Sequence, residues 1–340
     1  MIPNVPEKNK RPGLCYAVSD DGLELPVIDI THDTFDFKAT PQELADISQK
    51  SYHSLKSSMK LPAFVRKYFA SRSILTRDAA KACLGGMTTY LQKLGPENLG
   101  KGYAKDIDRR IASTIGPVAG RLRFRDIVLL LVESINSTLS AGGDETLHLI
   151  NIGGGPSSDS LNALLTLNKE NGAILKGRRI YIHALDFDCE GPNFGLRSLA
   201  AMQADGAPLN GLNITFEYIK YDWNDTSELR RLLEFISKEN SIIHGSTEGA
   251  LLEYGSDKAI LANLIILHDL TPGNFAMIGS VLRDEKTADP SLPLLKENSN
   301  MTFRLLGLEA FKAIADKAGW IVDKSIEGNP FYHIIRLKKL

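Results

Sequence analysis

Residues 149–159 read Leu-Ile-Asn-Ile-Gly-Gly-Gly-Pro-Ser-Ser-Asp, an apolar run that enters a glycine turn and leaves it as a helix N-terminus. Glycine lets the backbone turn sharply and approach a ligand with no Cβ in the way. Helix-terminal N–H groups and the positive end of the helix dipole favour an anionic or electron-rich group. A glycine run alone is as often nothing but a turn. Two strand ends add to it: 181–185 leads into Asp186-Phe187-Asp188, and 214–221 into Asp222-Trp223-Asn224. A carboxylate at the C-terminal edge of the second strand can accept both hydroxyls of a nucleoside ribose. An acid at the third can accept from an adenine amino group while Trp223 offers a ring face. One strand-end aspartate is more often a helix cap or turn residue. Two in succession, beside a glycine loop, favour a nucleoside ligand.

Such residues act together only if a sheet carries them to one edge. Beyond 141–144 (Ala-Gly-Gly-Asp) strand and helix patterns alternate, as a parallel sheet requires. Strands are predicted at 147–152, 179–185, 214–221, within 241–251 and at 275–282. Helices are predicted from 160–167, 196–203, 227–237, 257–267 (capped by Ser256) and 308–317. Two strands, 320–325 and 331–337, close the chain around Glu327-Gly328-Asn329-Pro330. Upstream, residues 1–13 read as a mobile tail, and 14–18 with 23–30 as a hairpin around Asp20-Asp21-Gly22. Thr40-Pro41-Gln42-Glu43 combines an N-cap, a first-turn proline and a capping-box glutamate, with Leu44, Ile47, Leu55 and Met59 near one stripe. Further helices are predicted over 78–94 and 107–139, the second interrupted near Gly116-Pro117. The chain thus divides into a 1–140 hairpin-and-helix region and a 141–340 α/β domain.

The 340 residues carry 40 basic and 41 acidic side chains, a formal net charge of -1, so a nucleic-acid partner is not expected. Arg121, Arg123 and Arg125 alternate with Leu and Phe and read as a solvated face rather than a phosphate site. Cys15, Cys83 and Cys189 are widely separated, which predicts neither disulfides nor a zinc cluster and fits a reducing cytosol. The N-terminus lacks an apolar signal core, and the longest apolar stretch, around 127–132, is too short to span a bilayer. The expectation is a soluble cytoplasmic protein with no membrane partner. Its oligomeric state is open, a homodimer being one form considered.

Taken in order, the glycine loop, strand-two acid, strand-three aspartate and terminal antiparallel hairpin resemble the class I S-adenosylmethionine (SAM)-dependent methyltransferase superfamily. The resemblance covers about residues 145–340; the N-terminal part is similar only to the helical caps of small-molecule members. It implies an α/β fold, with a Rossmann-like, mostly parallel seven-stranded sheet behind a mainly helical cap. It implies S-adenosyl-L-methionine as cofactor and no metal. Gly153 and Gly155 then line its methionine portion, with Gly154, Pro156 and Ser158 in the same turn. Pro156 stands where the family's commonest pattern has another glycine or small residue. Asp186 binds the ribose, with Asp188 a close competitor, and Asp222 with Trp223 contacts the adenine. In the fourth strand, 245–255, Thr247 and Glu248 fall at the cofactor–substrate junction. Glu248 or Tyr254 is the candidate to orient a nucleophile or hold the SAM ammonium, although Glu253 and Tyr254 could equally only start the next helix. The Asn/Asp-Pro-Pro-aromatic motif of nucleic-acid amino-methylating enzymes is absent, as is the acidic pattern of magnesium-dependent catechol enzymes. The expected acceptor is therefore an O, N or C nucleophile on a small organic metabolite.

A hydroxyl acceptor calls for a general base, whereas an amine or enolate carbon needs chiefly positioning. His268 beside Asp269 has the form of a base–orienter pair, although its place at a helix C-terminus explains it as well. Tyr16, His32 and Tyr52 are the pocket-facing candidates of the N-terminal region, while His244 and His333 read as packed strand residues. An NAD(P)-dependent oxidoreductase is one alternative, but its fingerprint needs a glycine at Ser158 and an acid about 20 residues on. Asp186 lies 33 residues after Gly153. A non-catalytic SAM- or nucleoside-binding module is the other.

Overall fold

The computed structural model describes residues 10–76, 78, 81–140 and 143–340. Most of the expected N-terminal tail, and the Ala141-Gly142 pair at the expected domain boundary, lie outside them. The hairpin is shorter than predicted: β1 (Tyr16–Val18) pairs antiparallel with β2 (Glu24–Pro26). Helix α1 (Pro41–Met59) starts at the predicted capping box. Its Thr40 hydroxyl accepts from the Glu43 N–H at 3.2 Å, and the Glu43 carboxylate accepts from the Thr40 N–H at 2.7 Å. Leu55 and Met59 of the α1 stripe stay half-buried because they face a cavity.

After α2 (Ala63–Ala70), the helix predicted over 78–94 is confined to α3 (Gly86–Lys93), residues 77, 79 and 80 lying outside the described set. The one predicted over 107–139 is two, α4 (Asp106–Ala112) and α5 (Ile115–Asn136). The break falls at Ser113-Thr114, ahead of Gly116-Pro117, because proline needs no N–H partner in a first turn and is tolerated there. Helix α5 overturns the solvated-face reading of its arginines. Arg123 is only 6% exposed, and Arg121 and Arg125 are half-buried, donating to the carbonyls of Ala112 and Phe37. A helix apolar on nearly every side belongs inside the protein.

The α/β part follows as β3 (Thr146–Ile152), α6 (Ser158–Asn171), β4 (Arg179–Asp186), α7 (Glu190–Gln203), β5 (Asn213–Lys220) and α8 (Ser227–Ile236). It continues through β6 (Ser241–Thr247), α9 (Leu251–Tyr254), α10 (Asp257–Leu270), β7 (Ala276–Leu282), α11 (Ser291–Glu297), α12 (Leu308–Lys317), β8 (Trp320–Ile326) and β9 (Tyr332–Lys339). The short helices α9 and α11 have no counterpart among the predicted elements. The sheet order is β5-β4-β3-β6-β7-β9-β8, and only β9 runs against the others. Every residue of β3 and β7 is buried, as expected of strands covered on both faces. From β3 the chain first winds outward to β4 and β5, then crosses to β6. The C-terminal ends of β3 and β6 are therefore the switch point where such sheets bind ligands. No helix among the described residues is long and apolar enough to cross a membrane.

Helix α5 packs on α6 and on β6, β7 and β9. One buried apolar cluster joins its Phe124, Ile127 and Leu131 to Leu147, Leu161 and Ile334 of the α/β part. Each such side chain contributes about 1.5–3 kcal/mol, against about 5–15 for a whole domain. A chain beginning at residue 141 is therefore expected to lose cooperative unfolding. Urea titration followed by near-UV circular dichroism checks this, and a transition as sharp and late as that of the full chain would contradict it.

Candidate active site

At the end of β3 the chain turns through Gly153 (φ +68°), Gly154 and Gly155 (φ +57°), and α6 begins at Ser158. Asn151 organises the turn. Its Oδ1 accepts from the Gly154 N–H at 3.0 Å, and its Nδ2 donates to Asp159 at 2.6 Å and Ser246 at 3.1 Å. The loop is thereby tied to α6 and β6 at once. A Cβ on Gly155 would lie 2.8 Å from the Cα of Gly86, the first residue of α3. The N-terminal region thus rests on the loop backbone to backbone, a contact open only to glycine. Gly155 and Pro156 serve this packing, neither they nor Ser158 line the neighbouring cavity, and Thr247 is fully buried.

That cavity, of about 310 Å³, brings together Gly153, Gly154, Asp186, Asp188, Asp222, Trp223, Glu248 and Tyr254. The two competing aspartates differ. Asp186 ends β4, and its Oδ2 accepts the Gly155 N–H at 2.9 Å. Burial pushes its carboxyl up to about 6, with the Asp188 charge adding to the rise and the Gly155 N–H opposing it. Asp188 is exposed, and its Oδ1 accepts the Glu190 N–H at the start of α7 at 3.1 Å. The loop after β5 is held by Asn263 of α10, unremarked in the sequence. Its Nδ2 donates to the Trp223 carbonyl at 2.8 Å, and its Oδ1 accepts from the Tyr221 hydroxyl at 2.5 Å.

Glu248 and Glu253, just beyond β6, meet two cations from the N-terminal region. Glu248 pairs with Lys93 of α3 at 2.5 Å and with Arg123 of α5 at 3.1 Å, and Arg123 pairs with Glu253 at 3.0 Å. The Ser280 hydroxyl donates to Glu253 at 2.7 Å. Aromatic faces cover both cations: Lys93 lies 4.7 Å from the Phe124 ring centre and Arg123 4.5 Å from that of Tyr332. All four charged side chains are under 10% exposed, and two cations balance two carboxylates. Burial works against the Arg123 cation, but the Glu253 and Glu248 carboxylates oppose it and its pKa is raised. The sequence held one signal for Arg123: Ala119 and Ile127, four residues to either side, are apolar.

A second cavity, about 490 Å³, lies between α1, the start of α5, α11 and the start of β9. A gap of about 60 Å³, bordered by Lys93, Arg123, Glu253 and Tyr332, lies next to both. Leu84 and Tyr254 line all three spaces. The remaining candidates lie elsewhere. His268, in the last turn of α10, packs edge-on against Trp320 and lines none of these three spaces. Tyr16 sits in the ribbon, its hydroxyl accepting from the Arg11 N–H. His32 caps the turn Asp33–Phe35, its Nδ1 accepting from the Thr34 N–H. Tyr52 points off the wrong side of α1: its neighbours Ser51 and Leu55 line the wide cavity and it does not.

Removing one member of a buried ion pair strands its partner, a loss of about 3–5 kcal/mol. Arg123→Met is therefore expected to destabilise the protein by about that amount in urea titration. The double variant Arg123→Met/Glu253→Gln should recover part of it, and additive losses would show that the pair is not coupled.

No protein-family profile matches the chain. No curated protein matches it in sequence. Among solved structures, a possible exported protein from Bordetella parapertussis superposes with a TM-score of 0.56 at 17% identity, covering 89% of this chain and 98% of that one. LepI in complex with SAM aligns with a TM-score of 0.40 at 13% identity over 62% of this chain, which spans 46% of LepI. Magnesium protoporphyrin IX methyltransferase (ChlM) from Synechocystis PCC 6803, with bound SAH, aligns at 0.43 and 12% identity, covering 71% and 90%. With its strand order, the reversed β9 and the glycine turn at the switch point, the chain has a Rossmann-like α/β fold, a mostly parallel seven-stranded sheet closed by an antiparallel hairpin.

Proposed function

We propose that the protein is a SAM-dependent methyltransferase, with its cofactor in the 310 Å³ cavity and a small organic acceptor in the 490 Å³ cavity. The observation that carries this reading is the meeting of the two cavities across Tyr254 and Leu84 at the switch point. The first has the acceptors a nucleoside needs. Asp186, rather than the capping Asp188, accepts the ribose hydroxyls. Trp223 flanks the adenine, and Asp222, whose Oδ1 takes two bonds from Asn224, keeps Oδ2 for the amino group. A Cβ on Gly153 would lie 2.5 Å from the Ala250 side chain, so only glycine lets the turn pack this closely against the loop after β6.

When bound, SAM supplies a methyl group on a sulfonium, which departs as a neutral thioether once an O, N or C lone pair of the acceptor takes the methyl. The protein's residues position that acceptor atom. Burial raises the Tyr254 and Tyr332 hydroxyls well above their ordinary range, so both stay protonated and act as donors that orient it. Glu248, held by Lys93 and Arg123, orders this wall and is not the base. Residues 1–140 supply the substrate-side cap, and residues 141–340 the cofactor domain. We assign the reaction to the cytoplasm, where the free thiols of Cys15, Cys83 and Cys189 stay reduced.

Calorimetric titration is expected to give binding of SAM and S-adenosylhomocysteine (SAH) and none of NAD; the reverse pattern would reject the reading. Asp186→Ala should weaken SAH binding roughly 10- to 150-fold, since hydrogen bonds to a charged group are worth about 1.5–3 kcal/mol. The affinity should also fall as pH drops through about 6, where the Asp186 carboxylate takes up a proton. Asp186→Asn should flatten that step. A full-strength Asp186→Ala with a weakened Asp188→Ala would transfer the ribose role to Asp188.

A further inference from the structure

The wide cavity lies within the roughly 300–1,000 Å³ range of small-molecule sites. Its walls are mainly apolar, with Leu55, Met59, Leu292, Leu295, Phe303 and Phe331 among them. Two charged side chains reach it, Glu253 and Arg66. Glu253 is neutralised by Arg123. Arg66, in α2, is half-buried, and among the described residues no carboxylate pairs with it. Its Nη1 donates to the side-chain oxygen of Asn298 at 3.3 Å, while its Nε is buried with no partner. The Ser299 hydroxyl, on the same wall, is likewise buried and without a partner. A mainly apolar chamber bordered by one guanidinium that no described carboxylate neutralises suits an anionic ligand, because a neutral one would cover that cation without pairing it.

We infer that the acceptor is an amphipathic organic acid: an apolar body carrying a carboxylate that pairs with Arg66, and a separate nucleophilic atom. The inference rests on reading this cavity as the acceptor site. The Nη2 N–H groups of Arg66, which Asn298 does not take, are the ones left to pair with a carboxylate. Arg66 borders neither the narrow gap nor the cofactor cavity. The carboxylate is thus held away from the Tyr254–Tyr332 wall, and the nucleophilic atom is directed towards it. Acceptors that are cationic, or neutral throughout, leave Arg66 unpaired and are disfavoured.

The test uses the full-length protein saturated with SAH and matched probes: 2-naphthoate with 2-naphthamide, and decanoate with decanamide. Calorimetry on the wild type should give each acid at least about tenfold tighter binding than its amide. Arg66→Met, which keeps the apolar stem, should erase the preference, and Arg66→Lys should keep part of it. SAH affinity should be unchanged in both variants, since Arg66 does not line the cofactor cavity. Equal binding of acids and amides to the wild type, no binding of either acid, or a preference surviving in Arg66→Met would each overturn the inference. Absence of SAH binding to the wild type defeats the cofactor reading instead, and the same probes without SAH then report on Arg66 alone.

Discussion

Four charges buried together, Lys93 and Arg123 from the N-terminal helices, Glu248 from the turn after β6 and Glu253 from α9, set the terms for the rest of this structure. Each charge removed from water incurs several kcal/mol, and only a close partner offsets it. Neither half of the chain holds a balanced set: the helices bring the cations and the α/β part the carboxylates. Docking the two halves is therefore what allows either set to be buried. Such a cluster is weak evidence for high stability, because its Coulomb gain largely repays its own desolvation. It does penalise every arrangement in which α3 or α5 shifts from the sheet.

The backbone contact of Gly86 with Gly155 reinforces the same register from another direction. A close-packed interface of this kind leaves no room for a side chain on either residue. Together, the charge cluster and the glycine contact place the start of α3 against the turn after β3. Leu84, Gly86 and Thr89 thereby become walls of the cavity that the α/β part opens at its switch point. The cavity belongs to both halves of the chain, and the apolar cluster under α5 gives them a common core.

The polar chemistry around the cavities is graded. Around the 310 Å³ cavity stand Asp186, whose carboxyl burial pushes up to about 6, and the exposed acids Asp188 and Asp222. At the junction the four charges cancel, and two tyrosines remain protonated. In the wide chamber the surface is apolar except for Arg66 and a few hydroxyl and amide groups. One chain thus offers neighbouring surfaces suited to a polar nucleoside and to a greasy partner.

Sequence alone determined what short-range chemistry controls. The capping box at Thr40 and Glu43, the glycine turn after the strand at 147–152, and the acids at or just beyond the ends of β4 and β5 were all legible. Each depends on residues within a few positions of one another or on a repeating burial pattern. Tertiary structure decided the partners. Lys93 reaches Glu248 across 155 positions, and Arg123 reaches Glu248 and Glu253 across 125 and 130. The apolar Ala119 and Ile127 mark an inward-facing stripe for Arg123, but nothing local says that two carboxylates will meet it there, which is why the Arg121–Arg125 run reads as a solvated face. Tyr52 shows the same gap at smaller scale: it shares α1 with Ser51 and Leu55, but a rotation of about 100° per residue turns it off the chamber wall they form. Periodicity establishes that a helix has faces, and only packing settles which face meets the ligand.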